Sequence, residues 1–459
     1  MLNRPSSWKW VPALILLVIC GLDARAAVAG QLEAGAAKVS ITPAPDEFPY
    51  PYNSSRGCEP GFEPHKSCNF VGVHDDIYAR ALMLGDGRNT VVIVMVAVTA
   101  IPEPDRFKAA IAGAAGVPES HVLLAATHTH EVPLVSFHGA ALYLKVAPDA
   151  AEQKEIDRVE AGAIEAVRRA RADLRPARIA FGRGTGWVNV NNGDHIGTAG
   201  YDPEGPSDKS LDVIKVDGVD GRPIAWLVNY ATHAEVMYRS VTRDGGYEVT
   251  GDIPGVVSST LESVPSAAPV VLYTAGAEGD QLPLFKSLQG ADGPLPVHDE
   301  GAAGWALLDV MSRRLALSAL GIAASMPAGS AQARIDAATG VATCPGEHMH
   351  EDPKTGRILI DPAAPVSIPL DVVRINDIAL AGVGGDVGSE IGMAVKRSSP
   401  VAHTTLVSMT AGSVGYVLAD SSYARPSHGV MGSALAPHCA QGAIVAGVDK
   451  LLQSLSAAH

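Results

Sequence analysis

The stretch Leu123-Leu124-Ala125-Ala126-Thr127-His128-Thr129-His130 decides how this chain is interpreted. Its apolar half predicts a buried strand that ends in a His-Thr-His tip. On a strand, residues i and i+2 point to the same face, so His128 and His130 are expected to face one cleft. Imidazole is the commonest neutral metal ligand, and a strand end holds it rigidly. A metal site is one interpretation of the tip, and two ordinary strand-end histidines are the other.

The composition is that of a globular protein with a sizeable core. The chain has 459 residues, of which 47% are hydrophobic and 18% charged. This length suits one large α/β domain or two smaller ones. Lys and Arg number 35 against 49 Asp and Glu, a formal net charge of -14. The negative charge argues against nucleic acid or an anionic membrane as the main electrostatic partner.

The first 29 residues are typical of a secretory signal peptide. Arg4 and Lys9 precede an apolar run, residues 11–22, that is too short to span a bilayer comfortably. Ala24-Arg25-Ala26 and Ala27-Val28-Ala29 are both small-x-small cleavage sites. A retained anchor helix is the alternative, and no later stretch is long and apolar enough to span a membrane. The sequence therefore predicts a secreted or periplasmic protein, with residues 30–459 forming a single domain, since no repeat or low-complexity linker divides them.

Removal of the signal leaves four cysteines, and an even count in an exported chain suggests disulfides. Cys58 and Cys68 are near each other in sequence and flank a Pro/Gly-rich loop. A local bridge between them is the first expectation. Of the three possible pairings, this one leaves Cys344 to pair with Cys439.

Four apolar strands are each expected to end in a polar tip. The tips are residues 127–130, 232–233, 279–280 and 384–386. Sites in open α/β sheets gather at strand ends. Helices are expected at residues 104–115, 149–172, 302–324 and 441–455.

Residues 331–369 are expected to be irregular and polar in the middle. His348 and His350 form a second His-x-His pair in this segment, which we interpret as a solvated loop rather than a metal site.

From the residues alone, His128, His233, an acidic residue and one further ligand would make a catalytic zinc site with an open position. Such a site activates water for attack on a carbonyl group. The alternative for each histidine is a core residue whose hydrogen bonds are satisfied.

Seven stretches, in order over roughly residues 33–445, resemble a known family. They are Gly72-Val73-His74-Asp75 with Tyr78-Ala79-Arg80-Ala81, Ala126-Thr127-His128-Thr129-His130, Leu227-Val228-Asn229-Tyr230-Ala231-Thr232-His233, Gly251-Asp252-Ile253-Pro254-Gly255, Gly276-Ala277-Glu278-Gly279-Asp280, Gly384-Gly385-Asp386 and Gly415-Tyr416-Val417. As an ordered set, they resemble the N-terminal catalytic domain of the neutral/alkaline, non-lysosomal ceramidases. The resemblance implies an α/β, mixed-sheet catalytic domain with helices packed on the sheets. It also implies bound Zn²⁺ and cleavage of the amide of N-acylsphingosines.

The resemblance implies a set of zinc ligands. His128, His233 and Tyr416 match two histidines and a tyrosine that bind the metal. Asp386 falls on the position of a glutamate in the family, where it keeps the carboxylate but is one methylene shorter. Glu390, one helical turn further on, is the alternative carboxylate.

Three further residues match positions at or near the active site, and the resemblance implies catalytic roles for them. His130 matches the second histidine of the His-Thr-His motif, which implies a place beside the metal or in hydrogen bonding to the transition state. His74 and Asp252 match positions near the site. A capped turn for His74 and a helix N-cap for Asp252 are the alternatives.

Several departures from the family pattern point to a changed substrate. Leu282 stands where the ceramidases carry an active-site serine. Glu131-Val132-Pro133 replaces Ser-Gly-Pro, and Asn191-Asn192 replaces the Asn-Arg of many relatives. No C-terminal immunoglobulin-like domain is expected, because the chain stops soon after the tyrosine segment.

The expected substrate is a small acyl amide or ester, lipid-like in class, but not ceramide itself. The leading prediction is an exported zinc hydrolase that cleaves an amide. A zinc-dependent esterase or lactonase on the same site and a non-catalytic exported binding protein are the alternatives.

Overall fold

Two β-sheets lie face to face in this protein, and helices cover their outer faces. The computed structural model describes residues 1, 29–51, 69–134, 146–195, 198–199, 201–265, 267–290, 296–352, 354–424 and 427–457. Residues 2–28 of the expected signal peptide lie outside the described residues. The expected Cys58–Cys68 bridge lies outside them as well. The α/β fold class with mixed sheets and packed helices is confirmed.

The larger sheet has eight strands, and both of its outermost strand pairs are parallel while the inner pairs are antiparallel. In spatial order, its strands are Val271–Ala275, Pro223–Tyr230, Ser210–Gly218, Arg175–Thr185, Glu33–Ser40, Tyr78–Gly85, Thr90–Val96 and Val122–Ala126. The strand Thr90–Val96 is an unbroken apolar run, as expected for a strand that is covered on both faces.

The smaller sheet has four strands, and it shares a core with the larger one. Its strands in spatial order are Ile335–Glu351, Ile358–Ile375, Ile378–Val383 and His403–Val407. Leu82, Ile93 and Leu123 of the larger sheet pack in one cluster with Val373 and Leu380 of the smaller one. This core between the sheets fixes their relative position.

The helices form the two outer layers. They are Pro104–Ala115, Ala150–Ala172, Asp252–Glu262, Gly304–Ser325, Ser389–Ser398, His428–Met431 and Ala440–Ala457. The first two pack with one part of the larger sheet and the next two with another part. Ser389–Ser398 and Ala440–Ala457 cover the smaller sheet. No described helix combines the length and the apolar character needed to cross a membrane.

Short strand pairs complete the fold. They are Asn69–Val73 with Tyr247–Val249 and Tyr50–Pro51, Asn189–Asn191 with Gln281–Pro283, Asp386–Val387 with Tyr416–Val417, Gly30–Gln31 with Gln332–Ala333, Leu288–Gln289 with His298–Asp299, and Asp194–His195 with Thr198–Ala199.

The expectation of an irregular segment at residues 331–369 is wrong. Ile335–Glu351 and Ile358–Ile375 form a long antiparallel hairpin that reaches beyond the sheet. Much of the second strand is exposed, and it contains three prolines, so neither the apolar alternation nor the usual residue preferences of a strand are visible in the sequence. His348 is exposed and stacks on His350, with ring centroids 5.4 Å apart.

A disulfide attaches this hairpin to the C-terminal helix. Cys344 and Cys439 are bonded, with an S–S distance of 2.09 Å and Cα atoms 5.7 Å apart. The expected Cys344–Cys439 pairing is therefore confirmed. Cys344 is buried within the core between the smaller sheet and the helix Ala440–Ala457.

The larger sheet curls until its two edge strands, Val271–Ala275 and Val122–Ala126, approach each other. The segment 408–411 runs between them. The backbone N–H of Ser408 donates to the carbonyl of Ala275 at 2.9 Å, and that of Ala411 donates to the carbonyl of Leu124 at 3.0 Å. As a result, the chain segments that follow the two edge strands emerge side by side.

Candidate metal centre

The His-Thr-His tip lies just beyond a strand rather than on it. The strand ends at Ala126, and His128 adopts a left-handed backbone conformation with φ of 61°. Strand alternation therefore does not bring the two histidines together, contrary to the reasoning from sequence. The turn itself does so, and it is fixed by a hydrogen bond from the N–H of His130 to the carbonyl of Ala234 at 3.1 Å. The two Nε2 atoms lie 3.2 Å apart.

His128 is held with its Nε2 facing the centre of the site. Its side chain is only 2% exposed, and its Nδ1 lies 2.7 Å from the carbonyl oxygen of Thr99. A carbonyl oxygen can only accept, so Nδ1 carries a hydrogen and donates it. Its Nε2 then lies 3.0 Å from Oδ1 of Asp386.

His233 follows the strand Pro223–Tyr230, and its ring is oriented in the same way as that of His128. Its Nδ1 lies 2.8 Å from the carbonyl oxygen of Glu278, and its backbone N–H donates to the carbonyl of Gln281 at 2.8 Å. Its ring centroid is 4.9 Å from that of His128. Hydrogen bonds of this kind from Nδ1 fix the tautomer and leave Nε2 as a ligand atom.

Asp386 enters from the smaller sheet and brings Tyr416 with it. The strands Asp386–Val387 and Tyr416–Val417 pair in parallel, with Asp386 opposite Tyr416. The ring of Tyr416 is half-buried, and its centroid lies 6.4 Å from that of His233. The structure thus places Tyr416 at the edge of the cluster formed by His128, His233 and Asp386.

The sequence reasoning missed Glu278. It is fully buried, and neither of its carboxylate oxygens has a hydrogen-bond partner within the described part of the chain. Candidate ligand atoms of His128, Glu278 and Asp386 all lie within 4.8 Å of one another, as do those of His128, His130 and His233. The signal was present, because a carboxylate so close to the end of a buried apolar strand is rarely buried without a partner or a metal.

Charge within the cluster is strongly coupled. Burial lowers the pKa of His128, but the neighbouring Asp386 outweighs it and raises that pKa to about 9. Burial, together with the charge on His128, lowers the pKa of His233. Burial and the negative Asp386 hold the pKa of Glu278 well above its usual range. In the metal-free protein, His128 therefore carries a proton near neutral pH.

These residues fit a divalent transition metal. His128 and His233 each present Nε2, because a backbone carbonyl holds their Nδ1 hydrogen. The carboxylate of Glu278, for which no hydrogen bond is recorded among the described residues, has a candidate ligand atom within 4.8 Å of that of His128. Imidazole nitrogens combined with carboxylate oxygens are the donor set of many catalytic zinc sites.

Glu390, the alternative carboxylate, lies apart from this cluster. It accepts a hydrogen bond from the hydroxyl of Ser421, and it belongs to none of the candidate metal-binding groups found among the described residues. Of the two carboxylates that the sequence offered as ligands, Asp386 lies beside His128 and Glu390 does not.

His74 and Asp252 make their described contacts elsewhere. His74 lies 2.9 Å from Asp75 through Nδ1, and its ring stacks on Trp305 at 3.7 Å between centroids. Asp252 is fully buried, and its carboxylate accepts from the backbone N–H of Met237 at 3.1 Å. The N-cap of the helix that begins at Asp252 is Gly251, so the N-cap alternative for Asp252 is wrong. The described bond to Met237 holds the loop that follows His233.

The two departures nearest the site are both buried. Glu131 accepts a hydrogen bond from the backbone N–H of Arg239, and burial holds its pKa well above its usual range. Leu282 lies on the strand Gln281–Pro283, directly after the residue whose carbonyl binds the backbone of His233. A buried apolar side chain therefore occupies the position where the resembling family has a serine.

Comparison with known proteins finds sequence relatives and solved structures that are ceramidases. No protein-family model matches the chain. The chain is 27% identical over 189 residues to neutral ceramidase A of Dictyostelium discoideum, and 28% identical over 190 residues to neutral ceramidase B of the same organism. Each alignment covers 38% of this chain and only 25% of the relative's length.

Two solved structures share the fold. A ceramidase complexed with C2 superposes with a TM-score of 0.71 at 18% identity, covering 93% of this chain and 75% of that one. The neutral ceramidase from Pseudomonas aeruginosa gives a TM-score of 0.68 at 18% identity, covering 93% of this chain and 74% of that one.

Proposed function

We propose that this chain, which is neutral ceramidase-like in sequence and in fold, is an exported zinc-dependent hydrolase that cleaves an N-acyl amide bond. One observation carries the proposal: His128 lies in a ligand cluster with two further histidines and two buried carboxylates, and backbone carbonyls hold the Nδ1 hydrogens of His128 and His233. Such an arrangement favours metal binding over a purely structural role, because the Nδ1 hydrogen bonds fix both rings and leave Nε2 as the ligand atom, from which a metal would displace the proton that His128 carries near neutral pH.

His128, His233, Asp386 and Tyr416 would hold the metal. When bound, zinc would activate water as a nucleophile and polarise the scissile carbonyl. The protein supplies the geometry: Thr99 and Glu278 orient the two imidazoles through their carbonyl oxygens.

His130 is placed to stabilise the negative charge that develops on the substrate oxygen during the reaction. It is half-buried, so it lies where the cluster meets solvent, and its ring packs edge-on against Tyr238 with centroids 5.0 Å apart. An Nε2–H of His130 would donate to the substrate oxygen as charge builds on it. Tyr416 is half-buried as well, so substrate access is expected on this side.

The substrate is proposed to differ from ceramide. Leu282 removes the hydroxyl that the resembling family carries, and it is buried next to the segment that binds His233. Esters need the same activated water as amides, so an esterase or lactonase activity is the second candidate. A lipid-like acyl amide is the first class to test, because the relatives are named neutral ceramidases.

Metal content and turnover test the proposal together. Purified protein should contain about one zinc per chain. His128→Ala should lose both the metal and hydrolysis of a panel of acyl amides and esters. His348→Ala, in which an exposed histidine outside the cluster is removed, is the matched control and should keep both. A wild-type protein that binds no metal at neutral pH would exclude the proposal, and one that binds metal and ligands without turnover would indicate a binding protein.

Export is part of the same proposal. Residues 1–29 have the pattern of a signal peptide, and a disulfide joins Cys344 to Cys439, which is rare in reducing compartments. N-terminal sequencing of the protein from its native cells should find a mature chain that begins near residue 30. An intact N-terminus on protein recovered from the cytoplasm would contradict export.

A further inference from the structure

Glu278 carries a buried carboxylate that forms no hydrogen bond of standard geometry, although the hydroxyl of Ser408 and the ring of His128 both lie close enough to favour its ionised form. The residue is 0% exposed, and neither of its side-chain oxygens makes a hydrogen bond within the described residues. A buried carboxylate is costly unless it is paired, hydrogen-bonded or bound to a metal. The proposed zinc ligands, His128, His233, Asp386 and Tyr416, do not include it.

The carboxylate nonetheless lies inside the cluster. Candidate ligand atoms of Glu278, His128 and Asp386 are all within 4.8 Å of one another. Two carboxylates at this separation in a buried site ionise together only when enough positive charge lies beside them. A divalent cation shared with His128 would satisfy both.

The turn that carries Glu278 is built tightly into the site. The carbonyl oxygen of Glu278 accepts from Nδ1 of His233 at 2.8 Å and from the backbone N–H of Gln281 at 2.7 Å. The N–H of Gly279 donates to the carbonyl of Val387 at 2.8 Å. A Cβ at Gly279 would clash with the carbonyl oxygen of Asp386, so only glycine permits this approach.

We infer that Glu278 is a further metal ligand of this centre, through its side-chain carboxylate. The inference rests on the proposed function, since it concerns the same metal. Glu278 thus has two roles: its backbone carbonyl orients His233, and its side chain supplies an oxygen donor. Such a donor set, with two carboxylates beside imidazoles, suits zinc and also the harder ions Mn²⁺ and Co²⁺.

Metal affinity and the spectrum of a substituted metal test this inference without relying on activity. The full chain is stripped with a chelator, and Zn²⁺ affinity is measured by competition with a chromogenic chelator. Co²⁺ is then added, and its visible absorption is recorded. Glu278→Gln keeps the size of the side chain but removes the anionic donor. Glu155→Gln is the control, because Glu155 is also a buried glutamate, but it lies on the helix Ala150–Ala172 and forms an ion pair with Arg158.

Glu278→Gln should weaken Zn²⁺ binding by at least about tenfold and change the Co²⁺ spectrum, whereas Glu155→Gln should do neither. The rise in melting temperature on adding Zn²⁺ should also be smaller in Glu278→Gln. Wild-type affinity and an unchanged Co²⁺ spectrum in Glu278→Gln, with metal lost in His128→Ala, would overturn the inference alone. Absence of metal from the wild type would overturn the proposed function as well. Weakened binding in Glu278→Gln together with no hydrolysis in any assay would leave the inference standing and reject only the proposed activity.

Discussion

Zinc binding to the metal-free protein should depend steeply on pH, because a proton and the metal compete for Nε2 of His128. Asp386, 3.0 Å from that atom, raises the pKa of His128 to about 9 despite the opposing effect of burial. At pH 7, about two units below this pKa, only about 1% of the His128 rings are free of the competing proton. The apparent affinity should therefore be about 100-fold weaker at pH 7 than above pH 9, and should rise about tenfold per pH unit between them.

Titration calorimetry in buffers with different heats of ionisation measures this competition directly. Near pH 7, binding of one Zn²⁺ should release at least about one proton, and the release should decline as the pH passes 9. His348→Ala should give the same profile as the wild type. An affinity that stays constant between pH 6 and 8, without proton release, would refute the coupling of His128 to Asp386.

Further predictions concern stability and catalysis. Folding raises the pKa of His128, so its contribution to the free energy of unfolding is fully present below about pH 6.5 and is lost as the pH rises through about 9. Urea unfolding of the metal-free protein across this pH range should show the loss. His130→Ala should keep the metal by elemental analysis but lower kcat about 100-fold or more, and unchanged kcat would contradict its assigned role. Gly279→Ala should weaken Zn²⁺ binding, measured by chelator competition. The added Cβ would clash with the backbone carbonyl of Asp386 and displace this proposed ligand. The double variant Cys344→Ser/Cys439→Ser opens a loop with a sequence separation of 95 residues and should lose about 2–4 kcal/mol in urea unfolding, whereas an unchanged midpoint would show that the bridge is not formed in solution.

Local signals in the sequence were enough for most helices and for the apolar strands. The helix Pro104–Ala115 begins and ends where it was predicted, because proline suits its first turn and Gly116 ends it in the left-handed conformation at φ of 73°. Asp149 likewise caps the helix Ala150–Ala172 by accepting from the backbone N–H groups of Ala151 and Glu152. Such information lies within a few residues of the boundary that it sets.

The parts that the sequence could not give depend on distant contacts. The exposed hairpin Ile335–Glu351 with Ile358–Ile375 is held by pairing across its own length and by a disulfide to Cys439, not by an apolar pattern. Glu278 escaped notice for a similar reason: its position just after an apolar strand was visible in the sequence, but its burial without a described hydrogen bond became visible only in the folded structure. The grouping of His128 with His233 was predicted from the residues and from the family resemblance, but the carbonyl oxygens that orient the two rings were not.

The segment 408–411, which bonds to both edge strands of the larger sheet, has a consequence for how the metal centre is assembled. His128 follows one edge strand and Glu278 follows the other, so neither half of the sheet contains the site by itself. The site exists only when the curl is closed, and the amides of Ser408 and Ala411 report on that closure. A bound ion would therefore link the two edge strands. It should slow hydrogen exchange at these two amides far more than at the amides of the helix Ala150–Ala172. After its removal, the contact between the edge strands should open before the rest of the sheet unfolds.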